Sequence, residues 1–473
     1  MITFIGCLLA LIVGYFAYGS FVERVFGIDP ARRTPAFTKQ DCVDYIPIPT
    51  WKVFMIQFLN IAGLGPIFGA IMGAKFGTAS FLWIVLGSIF AGATHDYLAG
   101  MLSLRQGGES LPELIGRYLG SRCGRFMRAF TVLLMILVGA VFVAGPAGLL
   151  AKLTPAYLNE TFWIVLIFIY YILATLLPVD KIIGKVYPLF AIALLFMAVG
   201  IMVMLFVHHP PLPEITDGMP NTYPGHLPVF PIMFVSIACG AISGFHATQS
   251  PLMARCMKNE KYGRPVFYGA MITEGIVALI WAAAATYFFH QNGMEENNAA
   301  VVVDRITKEW LGTVGGILAI LGVVAAPITS GDTAFRSARL IVADFLHWEQ
   351  KKILPRLMIC LPMFLVTIGV LLYSQQDKDG FDRIWRYFAW SNQTLAVFTL
   401  WALTVYLVQA GKAYLITLIP ALFMTAVCST YIFVAPEGLH WATDLSTWIG
   451  CAVTFAVFLL FLAWKRKFAR LKN

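Results

Sequence analysis

The sequence has little charge. Asp, Glu, Lys and Arg make up 12% of its 473 residues, which is about half the fraction usual in soluble proteins. Acidic residues are scarcer than basic ones, 25 against 34, so the formal net charge is +9. Hydrophobic residues make up 59% of the chain, and its mean hydropathy is +0.76. This composition excludes an ordinary soluble domain and indicates a membrane protein.

Motifs of enzymes and metal sites are also missing. The eight cysteines are scattered without CxxC spacing, which argues against a disulfide framework or a zinc site. The chain contains neither an HExxH motif nor a Walker A loop, and its eight histidines are dispersed. We therefore expect this protein not to be an enzyme and to hold no cofactor or metal.

Hydrophobic runs recur along the whole chain, and each can cross about 30 Å of hydrocarbon as a helix. They predict an all-α polytopic membrane protein with thirteen transmembrane helices. The predicted spans are 2–22, 51–73, 80–104, 126–151, 161–178, 185–207, 228–250, 265–290, 312–334, 353–374, 384–409, 413–434 and 444–464.

The basic residues lie mainly on one side of this predicted topology. With the N-terminus outside, 27 of the 34 Lys and Arg residues fall on segments that face the cytoplasm. This asymmetry follows the positive-inside rule. It predicts a cytoplasmic C-terminus and a collar of positive charge beside membrane lipids, so the net charge of +9 does not indicate a nucleic acid partner.

Two of the predicted spans contain helix breakers. Gly63, Gly65 and Pro66 interrupt the second span, FMIQFLNIAGLGPIFGAIMGAKFG, and Gly240 and Gly244 interrupt the seventh, VFPIMFVSIACGAISGFHATQ. Proline removes a backbone donor and glycine relaxes the helix. Unpaired backbone groups at membrane depth are tolerated only inside protein or beside a water-filled cavity. We therefore expect both breaks to face the interior and to contribute to a substrate site.

The position of the breaks predicts an inverted repeat. Spans two to six and spans seven to eleven form two sets of five, and each set opens with a broken helix. Because five is odd, the sets cross the membrane in opposite directions, which is typical of secondary transporters. The predicted units are the first helix with a cytoplasmic connector (1–50), the first repeat (51–207), an extracytoplasmic loop (208–227), the second repeat (228–409), and two additional helices with a basic tail (410–473).

Polar side chains near the breaks are candidate substrate contacts. Ser243, His246 and Gln249 follow the break in the seventh span, and Asn392 and Gln393 lie within FAWSNQTLAVF of the eleventh. Such groups are costly in lipid but useful against a pore or a partner helix. The alternative is that the glycines and serines only permit close helix packing.

Ionisable residues within the spans are candidate proton sites. The third span carries His95 and Asp96 in GSIFAGATHDYLAGM, and Glu274 lies near the middle of the eighth. A buried carboxyl or imidazole can accept and release a proton near neutral pH. The alternative is a structural hydrogen-bond network in which His95 and Asp96 cap the cytoplasmic end of a helix.

The predicted end of the ninth span, APITSGDTAFRSARLIVADF, concentrates oxygen ligands. Thr329, Ser330 and Asp332 accompany Pro327 and Gly331, which predict a helix break. This segment is a candidate site for Na⁺, and Asp332 is a candidate proton carrier. The alternative is a helix end followed by a turn, with Arg336 and Arg339 as cytoplasmic anchors.

Eight segments in the same order resemble the carbon starvation protein A family of bacterial inner-membrane transporters. The segments are GIDPARRTP, AGLGPIFGAIMGAKFG, AGATHDY, RQGGESLPEL, IACGAISGFHATQSP, YGAMITEGIVALIWA, ITSGDTAFRSARLI and SNQTLA. They extend from about residue 25 to about residue 400. Many members of that family are longer, with additional spans after this region.

The resemblance implies the uptake of short peptides or pyruvate-like carboxylates, by proton symport with alternating access. It also implies a five-plus-five core like that of LeuT and of the amino acid–polyamine–organocation superfamily. By this analogy Thr329 and Ser330 match the hydroxyl pair of sodium-coupled relatives, and Lys185 matches the lysine of proton-coupled ones. A sodium-coupled importer and a non-transporting membrane sensor remain alternatives, and the oligomeric state stays open.

Overall fold

The computed structural model describes residues 1–41, 43–176, 179–294, 299–350, 352–376 and 380–472, without the side chains of 175, 176, 179–186, 314–321, 382 and 472. Within these ranges the regular structure is entirely helical. The α-helices are α1 Ile2–Phe16, α2 Tyr18–Phe26, α3 Pro35–Thr38, α4 Thr50–Ile61, α5 Ala70–Ala74, α6 Ala79–Leu86, α7 Ala93–Arg105, α8 Leu111–Leu119, α9 Ser121–Leu153, α10 Glu160–Leu176, α11 Val179–His208, α12 Phe234–Ile237, α13 Gly244–Ala254, α14 Gly269–Asn292, α15 Ala299–Ala319, α16 Ala325–Leu346, α17 Ile353–Ser374, α18 Gly380–Gln409, α19 Leu415–Val434 and α20 Thr443–Lys472.

Several helices begin or bend through turns of other pitch. The π-helical turns are Gly65–Gly69, Gly87–Gly92, Val229–Met233, Arg264–Tyr268 and Ile320–Val324. The 3₁₀ turns are Ile215–Asp217, Pro224–His226, Ala238–Gly240 and Glu260–Tyr262. Single π-helical turns inside α-helices are frequent at functional sites, and two of these turns, Gly65–Gly69 and Val229–Met233, lie in the broken spans.

Ten helical segments of the described chain are long and apolar enough to cross a membrane. They are Ile2–Phe26, Ala79–Arg105, Ser121–Leu153, Tyr187–His208, Val229–Ala254, Glu260–Asn292, Ile353–Ser374, Arg383–Gln409, Leu415–Val434 and Thr443–Leu471. The second predicted span is a bent helix pair, and the fifth is the shorter apolar helix Glu160–Ala174. The ninth includes residues 314–321, whose side chains are not described, so the count of thirteen stays a prediction.

The break in the second span lies where the glycines and proline predict it. Helix α4 ends at Ile61, and the following helical segment, Gly65–Ala74, is tilted by 53° from it. Residues 62–64 between them are not helical. Pro66 is near the start of the second segment, where its missing N–H leaves no hydrogen bond unmade.

The seventh span is interrupted as well. Helix α12 ends at Ile237, the 3₁₀ turn Ala238–Gly240 follows, and α13 begins at Gly244. The backbone of Ala238 has a φ of 34°, and Ser243 is extended with φ −151° and ψ 126°. The chain therefore unwinds over about two turns before it resumes as α13.

The two breaks are in contact with each other. A Cβ atom added to Gly65 would lie 2.3 Å from the Cβ of Cys239. One added to Gly69 would lie 2.9 Å from the carbonyl oxygens of Ser236 and Ile237. Only glycine permits this approach, because real Cβ atoms do not come so close to other atoms. The breakers therefore serve close packing between the two spans as well as unwinding.

The helix break predicted within residues 327–332 is wrong. Helix α16 continues from Ala325 through Pro327 and Gly331 to Leu346. Pro327 is in the first turn of α16, where proline is tolerated, and it follows the π-helical turn Ile320–Val324. Gly331 instead makes room for Tyr171, whose hydroxyl oxygen would lie 2.0 Å from an added Cβ.

The connector between α2 and α4, residues 27–49, packs across one end of the helical bundle. The Ile48 N–H donates to the Cys256 carbonyl at 3.1 Å, and the Asp29 N–H donates to the Glu260 carboxylate at 2.8 Å. Arg105 binds the same carboxylate at 2.8 Å, and Glu260 is fully buried. The connector is thus held to the chain after the third and seventh predicted spans.

Asp44 ties the connector to α16. Its carboxylate lies 3.4 Å from Nη2 of Arg339 and 3.5 Å from Nη1 of Arg336. All three side chains are buried, so the predicted role of the arginines as cytoplasmic anchors is wrong. Burial alone raises the pKa of Asp44, but the surrounding guanidinium groups, those of Arg339 and Arg336 foremost, outweigh burial and hold that pKa below its usual value.

Candidate functional site

Four buried ionisable residues form a continuous chain in the interior. Nδ1 of His95 lies 2.8 Å from Oδ1 of Asp96, and Nδ1 of His246 lies 3.0 Å from Oδ2 of the same carboxylate. On its other side, Nε2 of His246 lies 3.4 Å from Oε2 of Glu274. All four side chains are completely buried. The structure thus brings together three of the predicted proton sites, His95, Asp96 and Glu274, with one predicted substrate contact, His246.

The local backbone explains how these groups meet. His95 and Asp96 lie in the first turn of α7, directly after the π-helical turn Gly87–Gly92. A Cβ atom on Gly92 would lie 2.3 Å from the carbonyl oxygen of Ala241, so this glycine lets the third span approach the break in the seventh. His246 is the third residue of α13. The predicted capping of a cytoplasmic helix end by His95 and Asp96 is therefore wrong.

The contacts with Asp96 assign the tautomers of the two imidazoles. An ionised carboxylate can only accept, so Nδ1 of His95 and Nδ1 of His246 are assigned as the donors to Asp96. Nε2 of His246 and Oε2 of Glu274 face each other at 3.4 Å, and neither atom has a hydrogen-bond partner among the described residues, so there is one position between them that a proton on either group would fill. With that proton the chain of four groups carries a net charge of −1. Without it, a neutral imidazole separates two carboxylates, and the net charge is −2.

Asn392 and Gln393 stabilise the unwound part of the seventh span. Oδ1 of Asn392 accepts from the Ser243 hydroxyl at 3.0 Å and from the Phe245 N–H at 2.6 Å. Nε2 of Gln393 donates to the Ile242 carbonyl at 3.0 Å. These bonds satisfy backbone groups that the break frees. Two of the predicted substrate contacts therefore hold the break in its present shape.

The remaining substrate candidates lie close to the breaks but pack against neighbouring side chains. Gly63 faces the ring of Phe142, which an added Cβ would meet at 2.8 Å. Gly240 is similarly close to Ala278. Nε2 of Gln249 donates to the Thr248 hydroxyl at 3.0 Å, while its Oε1 is buried without a hydrogen-bond partner among the described residues.

Asp332 belongs to a second polar cluster. Its carboxylate accepts hydrogen bonds from the hydroxyls of Tyr187 and, at 3.3 Å, Tyr170. Oδ1 of Asp332 is buried without a hydrogen-bond partner in the described part of the chain. The described hydrogen bonds and ion pairs do not join Asp332 to the His95–Glu274 chain.

The hydroxyls that precede Asp332 bind carbonyl oxygens. Thr329 donates to the Ala326 carbonyl at 2.7 Å. Ser330 donates to the Ala326 carbonyl at 3.0 Å and to the Leu59 carbonyl, just before the break in the second span, at 2.9 Å. Ser330 therefore contacts the second span beside its break, where the resemblance implies an ion, whereas the described bond of the Thr329 hydroxyl stays within its own helix. The side chain of Lys185, the other predicted coupling residue, lies outside the described residues.

Sequence reasoning missed two amides of the second span. Gln57 and Asn60 are fully buried, and all four of their amide atoms have no hydrogen-bond partner among the described residues. Unpaired amides in an apolar interior are costly, so these two are candidates for contacting water or substrate. The signal was available in the sequence, because they are three residues apart within FMIQFLNIAGLG.

Similarity to known families agrees with this geometry. The profile of one family, carbon starvation protein CstA, matches residues 1–156, 151–314 and 298–431. An uncharacterized membrane protein of Haemophilus influenzae is 44% identical over 61% of this chain and 91% of its own length. The peptide transporter CstA of Campylobacter jejuni is 27% identical over 87% of this chain and 77% of its own length.

A further relative and two solved structures extend the comparison. The pyruvate/proton symporter BtsT of Escherichia coli is 28% identical over 58% of this chain and 47% of its own length. A manganese transporter of Eremococcus coleocola superposes with a TM-score of 0.59 at 14% identity, covering 92% of this chain and 99% of that one. MhsT in complex with L-phenylalanine superposes with a TM-score of 0.55 at 15% identity, covering 86% of this chain and 97% of that one. At these identities the two structures establish the LeuT-like fold alone.

Proposed function

Because this chain belongs to the carbon starvation protein CstA family, we propose that it is a secondary transporter that imports a small nutrient by proton symport. Its transporter relatives and its multi-pass helical fold support the general class. The substrate class, a short peptide or a pyruvate-like carboxylate, is inferred from the names of the relatives. The distribution of Lys and Arg supports a place in the bacterial cytoplasmic membrane with the C-terminus inside.

One observation carries the proposal of proton coupling. His246 lies between Asp96 and Glu274, and it is only three residues beyond the unwound segment of the seventh span. The proton that His246 and Glu274 share therefore sits beside a break that can change shape. Such breaks lie at the substrate site in transporters of this architecture.

The charge of the chain supplies a mechanism for coupling. With the shared proton in place, His246 attracts both carboxylates and holds α13 against α7 and α14. When the proton leaves, Asp96 and Glu274 are both negative on either side of a neutral imidazole, and this arrangement is unfavourable in a dry interior. Proton loss then favours a different packing of α13, which moves the break and opens the other side of the substrate site.

A sodium-coupled importer is the second candidate. The observation in its favour is the buried Asp332, whose Oδ1 has no partner among the described residues, close in sequence to the hydroxyls of Thr329 and Ser330. Oxygen ligands of this kind suit a hard cation. A sensor that binds without transporting is a third candidate on the same fold.

Reconstituted transport separates these candidates. We expect proteoliposomes to accumulate labelled pyruvate or dialanine when the outside is more acidic, and to stop when a protonophore is added. Unchanged accumulation with choline in place of sodium supports protons, and its loss supports sodium. Saturable counterflow excludes the sensor. The absence of uptake and counterflow for every small acid and peptide would contradict the proposed function.

A further inference from the structure

A cavity opens at the end of the bundle opposite the connector. Its volume is about 290 Å³, and it lies between the second, seventh and eleventh predicted spans. Phe68, Met72, Ile232 and Val235 line it from the segments that precede or follow the two breaks. Ligand sites of small molecules are of about this size or larger, so the cavity can hold a compound of a few carbon atoms.

Arg386 is the one charged side chain among the described residues that line this cavity. Its Nε lies 3.2 Å from Oε2 of Glu437, and the Arg386 side chain is 43% exposed whereas that of Glu437 is 7% exposed. Glu437 also accepts a hydrogen bond from the Tyr431 hydroxyl. Glu437 is thus a buried countercharge on the Nε edge of the guanidinium, and the half-exposed Arg386 side chain lines the cavity.

Aromatic rings line the same cavity as Arg386. Trp385 lines the cavity beside Phe68, with their ring centroids 6.0 Å apart, and beside Phe381 at 6.3 Å. Aromatic walls suit a small apolar body, and a half-exposed guanidinium suits a carboxylate with two oxygens.

Further aromatic rings lie between the cavity and the two breaks. The centroid of Trp385 is 5.5 Å from that of Phe388, and Phe388 is 6.0 Å from Phe142. The ring of Phe142 rests against Gly63 in the break of the second span and lies 6.0 Å from the ring of Phe245 at the start of α13. The cavity is therefore separated from the unwound segments by a layer of aromatic side chains.

We propose that this cavity, which we call the vestibule, is a carboxylate-binding site at which Arg386 captures the anionic end of a small ligand. The apolar body of that ligand packs on Trp385 and Phe68. The vestibule adjoins both broken spans, so a single layer of aromatic side chains separates a ligand bound there from the unwound segments. This role in capture rests on the proposed import function.

Three variants test the vestibule in proteoliposomes. Replacing the guanidinium by a neutral amide, Arg386→Gln, removes a charge-assisted hydrogen bond, and we expect KM for pyruvate to rise about tenfold with little change in kcat. Glu437→Gln leaves the guanidinium with no countercharge, so KM should fall. The matched control is Arg383→Gln, one turn earlier on α18, because Arg383 binds the Tyr373 hydroxyl and does not line the cavity.

Peptide substrates distinguish the source of the carboxylate. If dialanine is the substrate, Arg386→Gln should weaken its uptake but not that of dialanine with an amidated C-terminus. A lower KM in Glu437→Gln also separates capture from structural damage, since a damaged protein would not improve. If Arg386→Gln folds and transports with wild-type KM, or if Arg383→Gln shows the same loss, the vestibule site is wrong. If wild-type protein transports nothing, the proposed function fails instead.

Discussion

Replacing Glu274 by glutamine tests the coupling mechanism directly. The glutamine has nearly the same volume and its amide can face His246 from the same position, but it cannot ionise. Since Glu274 lies 3.4 Å from Nε2 of His246 in the interior, Glu274→Gln removes the carboxylate that we propose stabilises the coupled proton there. We expect the variant to bind and exchange substrate without being driven by a proton gradient.

The distance between His246 and Glu274 sets the expected size of the effect on substrate accumulation. At the separation of 3.4 Å between His246 and Glu274, a protonated imidazole and a carboxylate attract each other by about 5 kcal/mol at an effective dielectric constant of about 20. A gradient of one pH unit supplies only about 1.4 kcal/mol, which corresponds to about tenfold accumulation of substrate. The gradient is too small to replace the lost attraction, so accumulation should fall from about tenfold to none.

Proteoliposomes at pH 7.5 inside and 6.5 outside provide the assay. Uptake of labelled pyruvate under the gradient reports coupling, and counterflow without a gradient reports binding and alternating access. The matched control is Glu309→Gln, because Glu309 is exposed on α15. If Glu274→Gln accumulates pyruvate as well as wild type does, Glu274 does not carry the coupled proton. If counterflow is lost as well, the residue is needed for more than coupling.

Three further predictions concern the breaks and the connector. Gly65→Ala should abolish counterflow, because the added methyl group overpacks against Cys239. Adding Cys239→Gly should restore counterflow, and a double variant that still lacks it would contradict a steric cause. Asn392→Ala should lower the unfolding free energy by about 1–3 kcal/mol, because it leaves two buried donors unpaired, and Asn392→Asp should retain most of the stability in the same thermal melt. Asp44→Asn should lower the melting temperature at pH 7 by leaving Arg339 unpaired. The pKa of Asp44 is depressed in the folded state, so the stability that its ionised carboxylate contributes is present at neutral pH and is lost as the pH falls through that pKa. If the variant's melting temperature is lowered equally at pH 7 and at pH 3, this role of Asp44 is contradicted.

Local features of the sequence predicted much of the fold. The apolar runs located ten of the spans, and glycine and proline located both breaks. Where local signals were ambiguous the prediction failed, as with Pro327 and Gly331, which lie inside the unbroken helix α16. A proline in a first turn and a glycine under an aromatic ring look like breakers in a sequence, because their environment is not visible there.

The sequence by itself determined that this chain crosses a membrane many times and that two of its helices are interrupted. Hydrophobic length and backbone propensity are properties of neighbouring residues, so they need no tertiary information. Which polar groups meet was decided only by the folded chain. Asp96 and His246 are 150 residues apart, and Arg386 and Trp385 share a cavity with the distant Phe68. Such encounters depend on how the helices pack, because a buried polar group is stabilised by whichever partner the packing brings within reach.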